Sequence, residues 1–298
     1  MWQRTKDNII ENFGNFKQKP IRLISFTVLI ALICFFALST GALSPNFALA
    51  STDFNENAHE LRAEAVKLSE FSTTYADSST ARKANIIIAS KKINGTIIHP
   101  SKQFSFNGTA GERTAENGYQ TAKIIVDGKF VSGTGGGVCQ VSTTLYNAVL
   151  LAGLKVDIVH RHSLPINYAP LSFDAMVSSR QDFAFTNNTD YLIYIVAKAT
   201  DSKLTFQVFG EKPIHSRVIK LRSVTIQEIF GQYETEYDEG TLSEDESERI
   251  IVKAKSGYVS EGYLDTYQNG RLIKSELIRK DRYLPQTGKR IIRVDGTA

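Results

Sequence analysis

The hydrophobic pattern changes character several times along the chain. From Ile21 to Leu38 the only non-apolar residues are Arg22, Ser25 and Thr27, a run of signal-peptide to transmembrane length. From Glu56 to about Tyr75, Ala58, Leu61, Ala65 and Leu68 recur at helical spacing and predict a helix. A second helix is predicted from Ser79 and Thr80 to Asn94, stopped by Gly95, with Ala81, Ala84, Ile87 and Ile88 as its apolar face. Beyond Gly95 the period shortens to that of strands: Thr96–Ile98, Phe104–Phe106, then Ala122–Val126 and Lys129–Val131 joined by the turn pair Asp127-Gly128. Gly133-Thr-Gly-Gly-Gly137 then leads into a helix whose apolar stripe is Val138, Val141, Leu145, Val149 and Ala152, with Gly153 as its left-handed stop.

After Gly153 strand-like runs dominate: Val156–Val159, Phe173–Val177, Phe183–Phe185, Tyr191–Ala197 and Leu204–Val208. The pattern breaks between Gly210 and Pro213. A further β-rich unit is predicted over 216–298, with strands near Arg217–Val224, Arg249–Ala254, Tyr258–Tyr267, Arg271–Ile278 and Arg290–Val294 and a hairpin turn at Asn269-Gly270. The eight acidic residues between Glu234 and Glu248 read as a solvated loop. The expected class is α+β: N-terminal helices, a mixed domain with a central sheet and a glycine-loop helix, then a small all-β module. The expected boundaries are an export segment over 1–50, a helical lead-in over 51–84, the mixed domain over 85–212 and the β module over 216–298.

The 298 residues, 42% hydrophobic and 22% charged, suffice for one or two ordinary globular domains. The formal charge of +4 is concentrated at the start, because residues 1–50 hold five Lys/Arg against Asp7 and Glu11. A nearly neutral body excludes a strongly basic nucleic-acid binder. Positive charge before the apolar run places the N-terminus in the cytoplasm and the remainder outside. Ala48-Leu49-Ala50 offers a small-x-small cleavage site, so the segment is either a cleaved signal peptide or a retained membrane anchor. Both outcomes predict an extracytoplasmic protein.

Cys34 lies in the apolar run, which leaves Cys139 as the lone cysteine of the exported body. A free thiol in that compartment is exposed to oxidation and directs attention to its neighbours. The glycine loop delivers Cys139 to the first turn of a helix, where free amides and the positive dipole end favour a thiolate. Gly135, Gly136 and Gly137 allow a substrate to approach the backbone, and amides at the helix start could form an oxyanion hole. Ser142, Thr143 and Tyr146 share the cysteine's face. Of His59, His99, His160, His162 and His215, the pair at 160 and 162 stands closest in the predicted fold to that helix start and supplies the candidate base. Asp174 or Asp182 could orient it. No second cysteine or paired-ligand spacing supports zinc, and no Gly-Lys-Ser/Thr follows the glycines, so neither a metal nor a phosphate-bearing cofactor is expected.

Phe104-Ser-Phe-Asn107, Gly111-Glu-Arg-Thr114, Gly118-Tyr119, the run Gly135-Gly-Gly-Val-Cys-Gln-Val-Ser-Thr-Thr-Leu-Tyr-Asn-Ala148, His162-Ser163, Tyr168-Ala-Pro170, Asp174-Ala175 and Asp182 together resemble the VanW family over about residues 85–210. That family is named for a protein encoded with glycopeptide (vancomycin) resistance clusters in Gram-positive bacteria. One departure is Leu171-Ser172-Phe173, where family members more often have a glycine-containing turn. The resemblance adds Asn107, Arg113 and Gln140 to Gly135, Gly136, Gly137, Ser142, Thr143 and Tyr146 as candidate binding residues, beside Cys139, His162 and Asp174 as candidate catalytic ones. Residues 216–298 are similar to a G5-type module through Ser256-Gly257-Tyr258, Asp265-Thr-Tyr-Gln-Asn-Gly270 and Tyr283-Leu-Pro285. Such modules are associated with cell-wall proteins and binding to N-acetylglucosamine-containing glycans.

Two functions compete on these residues. In one, Cys139 is the nucleophile of a thiol acyl-transfer or peptidase-like reaction on peptidoglycan peptides, with His162 as base. In the other, the glycine loop and polar helix face recognise a cell-wall glycan or peptide without turnover. A cysteine merely packed under the loop is the third possibility. The β module is expected to be separable and to add carbohydrate affinity through Tyr258, Tyr263, Tyr267 and Tyr283, without chemistry.

Overall fold

The computed structural model describes residues 65–126, 128–212 and 217–293, all within one compact unit spanning Glu64–Ala298. The export segment, the start of the lead-in, Asp127, His59 and His215 lie outside the described residues. Among the described residues no helix is long and apolar enough to cross a membrane.

The first described element corrects the sequence reading, since Val66–Thr74 is strand β1 and not the end of a helix. It pairs antiparallel with strand β9 (Lys203–Gly210), from Val66 opposite Gly210 to Thr74 opposite Lys203. Its buried residues are Ser69 and Thr73, whose hydroxyls bond inward, Ser69 Oγ to the Ala148 carbonyl at 2.6 Å and Thr73 Oγ1 to Thr144 Oγ1 at 2.8 Å. Because two of its inner residues, on either side of Phe71, are small and polar, hydrophobic periodicity does not reveal the strand, and pairing with β9 overrides the helical spacing of Ala65 and Leu68.

Helix α1 runs Thr80–Ile93, capped by Ser79 and ended at Asn94, as the sequence predicts. Its buried face is displaced from the expected one, comprising Asn85, Ile86, Ala89, Ser90 and Ile93, while Ala81, Ala84, Ile87 and Ile88 are half-buried. Asn85 explains the rotation. Its side-chain amide donates to the carbonyls of Gln120 and Gly136, both at 2.9 Å, and its oxygen accepts from the Gln120 amide at 2.7 Å. The helix is thereby fastened to the glycine loop.

Strands β2 (Ile97–Ile98) and β8 (Ile193–Ala199) complete a four-stranded sheet with order β1-β9-β8-β2. Strand β3 (Gln103–Ser105) stops one residue early, because Phe106 opens the short helix α2 (Phe106–Ala110). Strands β4 (Thr121–Val126) and β5 (Lys129–Thr134) form the expected hairpin. Helix α3 (Val138–Leu151) follows, then β6 (Lys155–Ile158) and β7 (Ala184–Thr186), which form a sheet with β3 in the order β3-β7-β6. The predicted strand Phe173–Val177 is not one: these residues run outside the sheets and bond to α3 instead.

The β module contains β10 (Arg217–Ile229), β13 (Gly257–Gln268) and β14 (Arg271–Tyr283) in one sheet. A second comprises β11 (Tyr233–Tyr237), β15 (Gly288–Ile292) and β12 (Glu248–Val252). Strand β11 corrects the all-loop reading of the acidic segment. It pairs in parallel with β15, Tyr233 opposite Gly288, a distant partner that local charge density conceals. The turn at Asn269 and Gly270 has φ of 50° and 77°, as a two-residue hairpin requires.

The module is docked on the mixed domain. Ser172 Oγ meets Ser260 Oγ at 2.8 Å, the Leu284 amide donates to the Ser163 carbonyl at 2.8 Å, and a Cβ at Gly262 would stand in tight contact with Ser172 at 3.0 Å.

Candidate functional site

Two glycines in the loop before α3 have left-handed backbone, Gly135 at φ 82° and Gly137 at φ 111°. A Cβ on Gly136 would lie 2.7 Å from the Lys123 carbonyl, and one on Gly137 3.0 Å from Arg82 Cγ and Ile86 Cγ1. The loop therefore seats α3 directly on α1 and β4. All of α3 is buried except Cys139 and Leu151. Cys139, the second helical residue, is half-buried and opens onto a groove of about 1490 Å³. The Gly135 carbonyl takes the Val138 amide at 3.1 Å and the Gly137 carbonyl takes the Gln140 amide at 3.0 Å. Between them the Cys139 amide has no carbonyl partner among the described residues.

The segment between β6 and β7 arches over this helix start and brings His162 and Asp174 together. His162 is 4% exposed and Asp174 fully buried. His162 Nδ1 lies 2.7 Å from Asp174 Oδ2, which also accepts the His162 amide at 2.6 Å. With Nδ1 committed, the other ring nitrogen is the one left for the thiol. Cys139 Sγ donates to the Val177 carbonyl at 3.3 Å.

Electrostatics couples the three groups. Burial pushes the Cys139 thiol up, but the bond to and charge of His162, with Arg113 beyond, hold it below the ordinary value. Burial pushes His162 down, yet its bonds to Asp174 and Cys139 and their charges raise it to about 9. Burial likewise pushes Asp174 up, and His162, Arg279 and Tyr283 more than offset it. The three groups thus shift one another, the histidine toward its charged form and the thiol and carboxyl toward theirs.

The remaining partners of Asp174 come from the β module. Tyr283 Oη donates to Asp174 Oδ1 at 2.6 Å and accepts the Ser172 amide at 2.8 Å. Arg279 donates to the Asp174 carbonyl, reaches Oδ1 at 3.4 Å, pairs with Asp281 at 2.9 Å and sits 5.8 Å from the Tyr146 ring centroid. Arg279 escapes the sequence, and Tyr283, expected to stack on sugars, is instead buried with its hydroxyl on Asp174; both stand more than a hundred positions from their target, in a module whose own pattern is that of an ordinary strand.

Of the candidates from sequence, Asn107, Arg113, Gly135, Gly137, Cys139, Gln140 and His162 line the groove. Gly136, Ser142, Thr143 and Tyr146 do not. Ser142 Oγ donates to the Ala175 carbonyl at 2.6 Å, the Ala175 amide donates to Thr143 Oγ1 at 2.9 Å, and Tyr146 packs edge-on against Phe183. The polar helix stripe thus anchors the Asp174 segment and does not face the groove. His160 contributes its carbonyl to the Met176 amide, and Asp182 caps α2 through the Asn107 amide at 2.8 Å. The geometry thus separates Asp174 from Asp182. Tyr258 lines the groove, whereas Tyr263 and Tyr267 lie beneath Arg222 and Lys220. Among the described residues no group of three His, Cys, Asp or Glu is arranged to hold a metal ion.

These features define a two-part α+β protein in which a cysteine at a glycine-loop helix start faces a carboxylate-held histidine. Residues 81–209 match the family described as VanW like protein. An uncharacterised Bacillus subtilis protein, YoaR, is 37% identical over 156 residues, 52% of this chain and 52% of that protein. The vancomycin B-type resistance protein VanW of Enterococcus faecalis is 28% identical over 134 residues, 43% of this chain and 49% of that protein. The chain spans about half the length of these curated relatives. Two solved structures, the HP0197 G5 domain and the G5 domain of an IgA1 protease, are each 18% identical, cover 26% and 28% of this chain and 97% and 98% of their own, and give TM-scores of 0.17 and 0.18.

Proposed function

We propose that this is an exported, cell-wall-associated protein whose VanW-family domain performs thiol acyl transfer on peptide bonds of peptidoglycan. The observation that carries the reading is the half-buried Cys139 opening into a groove beside a histidine pinned by a buried carboxylate. The Cys139 thiolate attacks the scissile carbonyl carbon, and the free Cys139 amide receives the developing oxyanion. The His162 imidazolium then gives its proton to the departing amine as the C–N bond breaks, leaving a thioester. Neutral His162 next takes a proton from water, or from an acceptor amine, as that nucleophile displaces the thiolate. Asp174 fixes the ring and balances its charge throughout. The apolar run over residues 21–38 and the VanW-named relative support the cell-wall setting.

The groove continues onto the β module through Lys255, Ser256, Tyr258 and Gln286. That continuity favours a second reading, recognition of wall peptide or glycan without turnover. Incubating the protein with soluble peptidoglycan fragments separates the two. The catalytic reading expects released amino acid or exchanged amine in the mass spectrum, absent for Cys139→Ser. Tight binding with no product, unchanged by that substitution, supports recognition alone.

A further inference from the structure

Two guanidinium groups flank the glycine loop and line the groove beside Cys139. A Cβ on Gly135 would stand 3.0 Å from Arg113 Cβ, and one on Gly137 3.0 Å from Arg82 Cγ, so the two stems pack on glycines two positions apart. Arg82 spends one nitrogen on Gln140 Oε1 at 2.9 Å. Arg113 spends one on Asn107 Oδ1, while its buried Nε has no hydrogen-bond partner among the described residues. Neither arginine has a carboxylate within ion-pair distance among those residues. Arg222, Arg249, Arg279 and Arg290, by contrast, each hold one.

A half-buried guanidinium with an orphaned donor loses hydration without compensation, which is tolerable where a ligand supplies the missing acceptor. Its planar fork suits a carboxylate, bound through two parallel N–H donors. Arg113 lines the same groove as Cys139, and its charge is felt by the Cys139 sulfur. Lys123 and Lys255 also line the groove, against Asp77 and Glu112, so the lining stays net positive and suits an anion.

We propose that Arg82 and Arg113 form a carboxylate subsite beside Cys139, so that the acyl donor is a peptide bearing a free carboxylate next to its scissile carbonyl. This rests on Cys139 being the nucleophile and narrows the substrate class to peptide ends or acidic branch points, excluding uncharged internal bonds.

Alkylation of the full chain by two reagents of nearly equal size tests it, with iodoacetate as the carboxylate probe and iodoacetamide as its neutral counterpart. The iodoacetate-to-iodoacetamide rate ratio for Cys139 is expected to exceed that of free cysteine by roughly tenfold or more, the scale of one charge-assisted hydrogen bond. It should fall toward the free-cysteine value in Arg113→Gln and Arg82→Gln and be kept only in part in Arg113→Lys, which restores the charge but not the fork. Taking a ratio cancels changes in thiolate fraction. In wild type alone the excess should shrink as salt is raised, an arm that does not depend on variant folding. A ratio equal to that of free cysteine, or one indifferent to both glutamine substitutions and to salt, overturns the subsite while leaving fast iodoacetamide labelling and the nucleophile intact. Slow labelling by both reagents relative to denatured protein overturns nucleophile and subsite together.

Discussion

Arg279→Met is expected to destabilise the folded protein by about 3–5 kcal/mol, the usual cost of breaking a buried ion pair from one side. The guanidinium is 9% exposed and stands between Asp174 and Asp281, so its removal strands two buried or nearly buried carboxylates. Methionine keeps an unbranched apolar stem of similar length, so that chiefly the guanidinium charge is removed, together with its place over the Tyr146 ring. Tyr283→Phe should cost less, about 1–3 kcal/mol, because it leaves the buried Ser172 amide without an acceptor and Asp174 Oδ1 without its shortest donor. Denaturant unfolding of both variants checks these values. Both positions lie in the β module, so losses of this size would also show that the module is part of the site's scaffold. Changes below about 0.5 kcal/mol, the scale of surface substitutions, would mean that the docking contacts do not hold Asp174.

How far the sequence reveals this arrangement depends on where each contact is encoded. Helix α3 and its glycine loop are legible because every signal is local: the apolar stripe from Val138, the stop at Gly153, and a cysteine at the first turn. His162 is legible as a candidate by proximity, and Asp174 as one of two carboxylates. The choice between Asp174 and Asp182 needs the course of the 160–182 segment, which follows polar bonds to α3 and carries no periodicity. Strand β1 is hidden since Ser69 and Thr73 replace the expected apolar residues on its inner face. Ser142, Thr143 and Tyr146 do form a polar stripe, but its neighbour is not a ligand groove: a helix buried all round offers its polar face to backbone carbonyls as readily as to a ligand. The roles of Arg279 and Tyr283 are invisible because only tertiary docking brings them to Asp174.

Replacing His162 with alanine is expected to slow alkylation of Cys139 at pH 7, because the thiolate fraction falls as the thiol rises. The sign follows from the opposing influences on the sulfur. Burial pushes the thiol up and His162 pulls it down; without the histidine, burial prevails. In wild type the reactive pair exists between the lowered thiol value and the imidazolium's value of about 9. Labelling should therefore extend to lower pH than in denatured protein and change again as pH passes about 9. Linkage to stability runs in two directions. His162, raised above its ordinary 6.5, contributes stability that is full below that value and lost as pH rises through about 9. Cys139, lowered, contributes stability that is full above the ordinary thiol range and lost as pH falls through its folded value. The two trends oppose each other in mildly alkaline solution, whereas in His162→Ala, where burial alone acts on the thiol, stability should fall as pH rises through the thiol range. A labelling profile that tracks denatured protein at every pH, with or without His162, would remove the ion pair from the account.

The most direct measurement is the intact mass of the protein after brief exposure to a carboxylate-bearing peptidoglycan peptide and an acid quench, followed by mapping of the modified residue. The account predicts an added acyl mass, equal to the peptide less its leaving group, carried by Cys139, discharged by hydroxylamine and absent from Cys139→Ser. An unmodified protein under conditions where the peptide is demonstrably bound, or product formation that persists in Cys139→Ser, would contradict it.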